Sequence, residues 1–218
     1  MTHQIFAPGC ALMLYKPALA EKIHSMLNEQ VGPMETLNTC CRHDPGFTVP
    51  TQIINICPGC DKRFASTYAN ATTISLWEIL AASDTFLFPD YKGQEMTILD
   101  ACPAREKPAI HNAIRTIIGK MNIRLVEPVH TRTKSTCCGD SFYPQLPAFT
   151  VNELMKKRTN EMPLQDVIVY CVSCIQSVSI GGKQPRYLPD LLFGLDTRPE
   201  VYPTEIWHRE LEEYIEKH

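Results

Sequence analysis

The sequence predicts an α/β fold made of two related halves, each a small parallel sheet flanked by helices, with a helix at the C-terminus. Three observations carry this. Short apolar runs with strand character alternate with stretches of helical periodicity, the signature of parallel sheets covered by helices. The ten cysteines fall in the order C…CC…CxxC and then repeat that order with none left over. The apolar runs end at corresponding cysteines in the two halves, as a duplication requires.

His3–Ala7 reads as a strand ending at Pro8-Gly9-Cys10, and a helical pattern follows from Ala11 to Gln30, stopped by Gly32-Pro33. The run QIINI over Gln52–Ile56 leads into Cys57-Pro-Gly-Cys60, and the amphipathic stretch Thr73–Ala82 completes the half. In the second half MTILDA over Met96–Ala101 leads into Cys102-Pro103, and Lys107–Asn122 carries Ile110, Ala113, Ile114, Ile117 and Ile118 on one helical stripe. A helix is expected over Thr150–Met162. The run DVIVY over Asp166–Tyr170 then leads into Cys171-Val-Ser-Cys174, followed by the amphipathic Arg186–Gly194. The loop Phe88-Pro89-Asp90-Tyr91-Lys92-Gly93 divides the chain into residues 1–90 and residues 91–218. Thr204–His218 reads as the terminal helix, with Thr204 as N-cap, packing on the second half as a structural element. Sites in open α/β sheets lie outside the carboxyl ends of the strands, where these cysteines fall.

Composition narrows the function. A net charge of −3 over 218 residues is not the basic footprint of a nucleic-acid binder. The longest apolar stretches, Ile74–Ala82 and Val167–Val172, are too short to span a bilayer. The first residues, Met-Thr-His-Gln-Ile-Phe, do not read as a secretory signal, so a cytoplasmic location is expected. In a reducing compartment, ten cysteines point to metal ligation or redox chemistry rather than structural disulfides.

The spacings are C-x29-CC-x15-CxxC and C-x34-CC-x32-CxxC. Structural zinc takes four ligands, so five thiolates overfill one ion and underfill two. A thioredoxin-like dithiol at Cys57 and Cys60 would leave the adjacent pairs and the second copy without a role. Iron–sulfur chemistry suits an all-thiolate set, although the C-x2-C-x2-C-x3-C run of ferredoxins is absent.

This cysteine framework resembles the cysteine-rich CCG domain family, as found in the disulfide-cleaving subunit of heterodisulfide reductase. Relatives of that subunit include components of glycerol-3-phosphate, lactate and succinate dehydrogenases. The matching residues are Ala7-Pro8-Gly9-Cys10, Asp100-Ala101-Cys102-Pro103, Cys137-Cys138-Gly139 and both CxxC motifs, and the likeness extends to Gly194. The resemblance implies two noncubane four-iron four-sulfur clusters. One would be held by Cys10, Cys40, Cys41, Cys57 and Cys60, the other by Cys102, Cys137, Cys138, Cys171 and Cys174. It further implies clusters facing each other across a pseudo-twofold axis, with a small disulfide or related thiol compound reduced between them. Two departures stand out: Arg42 follows the first cysteine pair where the pattern has glycine, and the first CC-to-CxxC interval is only 15 residues.

Cations beside the cysteines (Arg42, His43, Lys62, Arg63, Arg105, Arg132 and Lys134) would stabilise an anionic cluster or bind an acidic substrate, or else are solvated surface charge. Arg42, His43 and Lys134 flank the adjacent pairs and are the candidate catalytic residues, with His43 a candidate proton donor to a leaving thiolate. Asp140 reads as a turn cap, and Gly181-Gly182 as a flexible loop. With no nucleotide-binding glycine fingerprint and no ferredoxin run, a separate ferredoxin-like or flavin-containing donor subunit is expected. The alternative functions are a non-catalytic electron-transfer subunit serving a quinone or partner dehydrogenase, and a zinc-stabilised interaction module.

Overall fold

A computed structural model describes residues 3–39, 41, 43–199 and 203–218. It divides into two compact units, one of residues Met1–Phe86 with Glu210–His218, the other of Leu87–Arg209. The division precedes the Phe88–Gly93 loop, and the terminal helix is shared out at Arg209 rather than assigned whole to the second unit.

The first unit comprises β1 (His3–Ala7), α1 (Cys10–Tyr15), α2 (Pro17–Gln30), β2 (Glu35–Thr36), β3 (Thr51–Asn55), α3 (Pro58–Thr67), β4 (Ala71–Ser75) and α4 (Leu76–Ala82). Its four strands are all parallel and lie in the order β2-β1-β3-β4. The second unit comprises β5 (Glu95–Ile98), a 3-10 turn at Cys102–Ala104, α5 (Pro108–Lys120), β6 (Arg124–Val126), 3-10 turns at Arg132–Lys134 and Asp140–Phe142, α6 (Ala148–Asn160), β7 (Asp166–Val169), α7 (Val172–Ile180), β8 (Gln184–Tyr187) and α8 (Leu188–Leu191). Its sheet is again all parallel, in the order β6-β5-β7-β8. The topology is therefore the same in both units. The last helix, α9, runs over Thr204–Lys217.

The later residues of each inner strand are mostly apolar and buried, as expected where a parallel sheet is covered. Ile53 and Ile54 on β3 and Val167, Ile168 and Val169 on β7 are fully buried. Helix α5 buries the expected stripe of Ile110, Ala113, Ile114, Ile117 and Ile118.

Four local details differ from the sequence expectation. The pattern over Ala11–Gln30 is two helices, because Lys16 leaves the helical region (φ −157°) ahead of Pro17, which cannot donate an amide hydrogen. The stretches Thr73–Ala82 and Arg186–Gly194 each begin as a strand, β4 and β8, and only then turn helical. At the first of these junctions Ser75 and Glu78 form a reciprocal capping box. The N-cap of α9 is Pro203, whose carbonyl accepts from the amides of Ile206 and Trp207, while the Thr204 hydroxyl is spent on Asn152. Gly181 is not loop slack but the C-cap of α7, seated on α6: a methyl group there would come within 2.3 Å of the Thr159 side chain.

Gly139 is fixed for a related reason. It has φ +114°, and a methyl group on it would lie 3.0 Å from the Met155 amide nitrogen and 3.1 Å from the Val151 carbonyl, both on α6. The glycine after the second cysteine pair is therefore a consequence of α6 crossing beneath it. Among the described residues the first unit has no helix between β2 and β3, so no such crossing demands a glycine after Cys41. Gly139→Ala should cost about 2–4 kcal/mol through backbone strain and overpacking, read as a lowered midpoint in denaturant unfolding. Gly182→Ala, where nothing lies within 4 Å of the added methyl group, should show only the smaller cost of its φ of +78°.

Candidate functional site

In a 2-1-3-4 parallel sheet the chain leaves the two inner strands in opposite directions, and a crevice opens at their carboxyl ends. Every described CxxC and leading cysteine sits there. Cys10 opens α1 directly after β1, and Cys57 caps α3 after β3, with Cys60 in its first turn. Cys102 opens the 3-10 turn after β5, and Cys171 caps α7 after β7, with Cys174 in its first turn. Helix N-termini present unpaired N–H groups and the positive end of the helix dipole, which favours thiolate over thiol.

In the second unit the five sulfurs form one connected series. Cys137 is hydrogen-bonded to Cys102 and Cys138, Cys138 to Cys174, and Cys174 to Cys171. Cys137 also lies 3.0 Å from the Ser141 hydroxyl and accepts from the Gly139 amide at 3.3 Å. These bonds, led by that from Cys102, lower the Cys137 pKa well below the usual thiol range. Its donors are pushed the other way, Cys138 to about 12 by its bond to Cys137, and Cys102 upward for the same reason.

In the first unit Cys60 is buried with Ile5, Ala7, Ile53 and Phe64, and Cys41 and Cys57 pack against that cluster. A methyl group on Gly9 (φ +86°) would lie 3.0 Å from the Cys60 sulfur, so the bare backbone of Gly9 lets the Cys10 segment close on the CxxC turn. Burial raises the affinity of the Tyr214 phenol for its proton, and the neighbouring charge of Cys10 adds to it. Residues 210–218, read from the sequence as purely structural, therefore stand beside the first cysteine set. Cys40 and Arg42 lie outside the described residues.

The other candidates are placed as follows. His43 is exposed and its Nε2 lies 2.8 Å from the Ile215 carbonyl, so the ring is tied to the last turns of α9. Lys134 is exposed at the end of the Arg132–Lys134 turn, three residues ahead of Cys137. Arg105 donates its Nε–H to the Ser135 carbonyl at 2.7 Å and so serves the backbone. Asp140 is not a cap: its carboxylate lies 3.1 Å from His208 Nε2, and the His208 ring rests against Tyr143.

The sequence reading missed a buried carboxylate, Asp100. It takes both arms of the Arg115 guanidinium at 2.7 Å, the Thr131 hydroxyl at 2.9 Å, the Arg132 amide at 2.7 Å and the Tyr170 hydroxyl at 3.0 Å. Burial alone would raise its pKa, but the bonds and charge of Arg115 outweigh burial and bring it down to about 2. An aspartate at the end of the apolar run MTILDA was the available signal, since a buried charge needs partners. His111, one turn before Arg115, is also buried, and neither ring nitrogen finds a hydrogen-bond partner.

Among the described residues no group of three or more histidine, cysteine, aspartate and glutamate side chains is disposed around a single ion. This contrasts with the connected sulfurs of the second unit, and geometry reconciles the two. A single tetrahedral ion needs four donors converging on one point, whereas these sulfurs bond in series. Sulfur donors without nitrogen or oxygen match iron–sulfur chemistry in type, and the number five is what the resemblance to the CCG domain implies.

No protein-family model matches the chain, and no curated protein matches it. Among solved structures, the glutamate racemase of Francisella tularensis subsp. tularensis SCHU S4, in complex with D-glutamate, aligns over 97% of this chain and 81% of its own, at 12% identity and a TM-score of 0.33.

The Asp100 and His111 environments make the second unit acid-labile. A carboxylate with a depressed pKa stabilises the fold fully above its ordinary value of 3.8 and loses that contribution as pH falls through about 2, a contribution of about 2 kcal/mol. Burial lowers the His111 pKa, so acid acts in the same direction there, starting below the ordinary 6.5. Asp100→Asn should lower stability at pH 7 by roughly 2 kcal/mol, because Arg115 loses one of its two carboxylate partners and keeps Glu127, at 2.8–3.0 Å. Denaturant unfolding across pH should show the gap to the unmodified protein narrowing as pH falls from 4 toward 2.

Proposed function

We propose that this chain is an iron–sulfur redox protein with two five-cysteine sites, each taking a noncubane four-iron four-sulfur cluster, and that it reduces a small disulfide or related thiol compound. The observation that carries the reading is the series Cys102–Cys137–Cys138–Cys174–Cys171: five sulfurs from three separate chain segments, gathered at the crevice between the two inner strands. Cys10, Cys41, Cys57 and Cys60 occupy the matching positions of the first unit, and Cys40 would complete that set. A bound cluster would supply one-electron chemistry and sites for sulfur.

The chain's own residues have three tasks in this scheme. The helix N-termini at Cys57 and Cys171 offset the negative charge of the thiolates. Cys102 and Cys138, with Ser141 and the Gly139 amide, surround Cys137 with hydrogen-bond partners. Breaking one disulfide bond consumes two electrons and two protons, and His43 and Lys134, with Arg42, remain the proposed proton- and anion-handling groups. The electrons would come from a ferredoxin-like or flavin-containing subunit, in the reducing cytosol that ten thiols favour. No helix among the described residues is long and apolar enough to cross a membrane.

A second reading draws on the burial of Cys10, Cys60, Cys138 and Cys174: a relay subunit that passes electrons to a quinone or partner dehydrogenase needs insulated metal rather than substrate access. Turnover of low-molecular-weight disulfides by the reduced, cluster-loaded protein selects the enzyme, and electron transfer to a quinone without disulfide turnover selects the relay.

Anaerobically reconstituted protein should hold about eight irons and eight acid-labile sulfides per chain, with low-temperature EPR signals on reduction. Protein that keeps only zinc, or iron without sulfide, would refute the assignment. Cys138→Ser should remove or convert one cluster and leave the other, so unchanged iron content would rule out the five-ligand set of the second unit. Mixing with NADH or NADPH alone should give no rapid reduction, which stopped-flow absorbance can check.

A further inference from the structure

We propose that the second cysteine set closes on itself when it holds no metal: a low-molecular-weight disulfide oxidises Cys102 and Cys137 to an intramolecular disulfide, which withdraws both from metal binding until a thiol reopens it. The inference rests on the thiolate-ligand reading above and adds a regulation of that site.

Two independent contacts bring the pair together. The sulfurs are hydrogen-bonded to each other, and the segments that carry them are tied in matching register. Asp100 stands two residues before Cys102, and Ser135 two residues before Cys137. The Ser135 hydroxyl donates to the Asp100 carbonyl at 2.6 Å, and beyond Cys102 the Arg105 Nε–H donates to the Ser135 carbonyl at 2.7 Å. Cys137 is held from its own side by the Ser141 hydroxyl, 3.0 Å from its sulfur, and by the Gly139 amide, at 3.3 Å. Sulfurs in contact on approaches already joined are what a crosslink between distant parts of a chain requires.

Access selects this pair from the series Cys102–Cys137–Cys138–Cys174–Cys171. Thiol–disulfide exchange needs sulfurs that the small molecule can reach. Cys138 and Cys174 are only 5% and 3% exposed, so every link that includes either one has a shielded sulfur. Cys102 and Cys137 are both half-buried, and theirs is the link in the series that joins two accessible sulfurs. Cys171 is half-buried too, but it joins the series through the shielded Cys174. The adjacent pair Cys137-Cys138 is further disfavoured: consecutive α-carbons lie about 3.8 Å apart, short of the roughly 4.4–6.8 Å that disulfides span.

The exchange balances without metal. One of the two sulfurs attacks the small disulfide, forming a mixed disulfide and releasing one thiol. The other attacks the protein sulfur of that intermediate and releases the second thiol. Two S–H bonds are lost from the protein and two form on the released thiols, so the protein gives up two electrons and the small disulfide gains them. The oxidant is of the same chemical class as the proposed substrate. The compound that the loaded protein reduces would therefore close the empty one.

The metal-stripped full chain, incubated anaerobically with oxidised glutathione and alkylated, tests this by peptide mass spectrometry. A Cys102–Cys137 crosslink should dominate the disulfides of the second unit and be absent from the reconstituted protein. In Cys102→Ser or Cys137→Ser the remaining sulfur of the pair should instead keep one glutathione. Metal uptake is read on Cys57→Ser/Cys60→Ser, which leaves the second set intact. Prior oxidation should lower its uptake of iron and sulfide several-fold, and dithiothreitol should restore it. Crosslinks confined to Cys171–Cys174 or Cys137–Cys138, no crosslink in the second unit, or metal uptake indifferent to oxidation would overturn the proposal and leave the ligand reading intact. A reduced full chain that takes up no iron and sulfide would overturn the ligand reading, and the gating of metal with it, whether or not the crosslink forms.

Discussion

The chain segments that lead to the second cysteine set meet at a single buried charge, Asp100. Placing a carboxylate in a protein interior is costly unless every lone pair is met, and Asp100 meets this condition with five donors from four residues. Those partners lie on α5, on the loop after β6 and at the end of β7. The bonds of Asp100 tie the segments before Cys102, Cys137 and Cys171 to one residue. The hydrophobic core gives the second sheet its stability, but it would tolerate small sliding of these loops. The hydrogen bonds of Asp100 would not.

The same logic explains the glycines that matter. Gly9 and Gly139 are positions where the backbone of one cysteine segment is pressed against another element, the CxxC turn in one case and α6 in the other. A side chain at either would push a cysteine-bearing segment outward. The cysteine-pair loop in the second unit is long because it must make room for α6, and its glycine follows from that packing. Among the described residues the shorter loop of the first unit has no such helix to accommodate.

The two units thus share topology and differ in how they hold their sulfurs. In the second, a polar network aligns the chain and the sulfurs bond to one another. In the first, Cys60 lies in an apolar cluster beside the buried Asn55–Asp61 hydrogen bond of 3.1 Å, and residues of the terminal helix, Tyr214 and Ile215, meet the vicinity of Cys10 and His43.

The sequence by itself determined the architecture and the grouping of the cysteines. Strand runs such as His3–Ala7 and Asp166–Val169 were legible because each ends in a short buried apolar run, Ile5–Ala7 and Val167–Val169, and the repeated cysteine order marked which strand ends matter. The short edge strands β2 and β6 were not legible, because two or three residues carry no measurable period. The strands β4 and β8 were hidden because each passes directly into a helix, and one amphipathic stretch blurred the change of period. What only the tertiary structure decided was the identity of the supporting residues. Asp100, Arg115, Ser135 and Tyr170 are far apart in sequence, and none has a spacing that announces the others. Their association arises because the ends of β5 and β7 are neighbours in the sheet and α5 returns across them. Hydrogen bonds among residues brought together by folding leave no periodic trace in the chain, whereas burial of whole elements does.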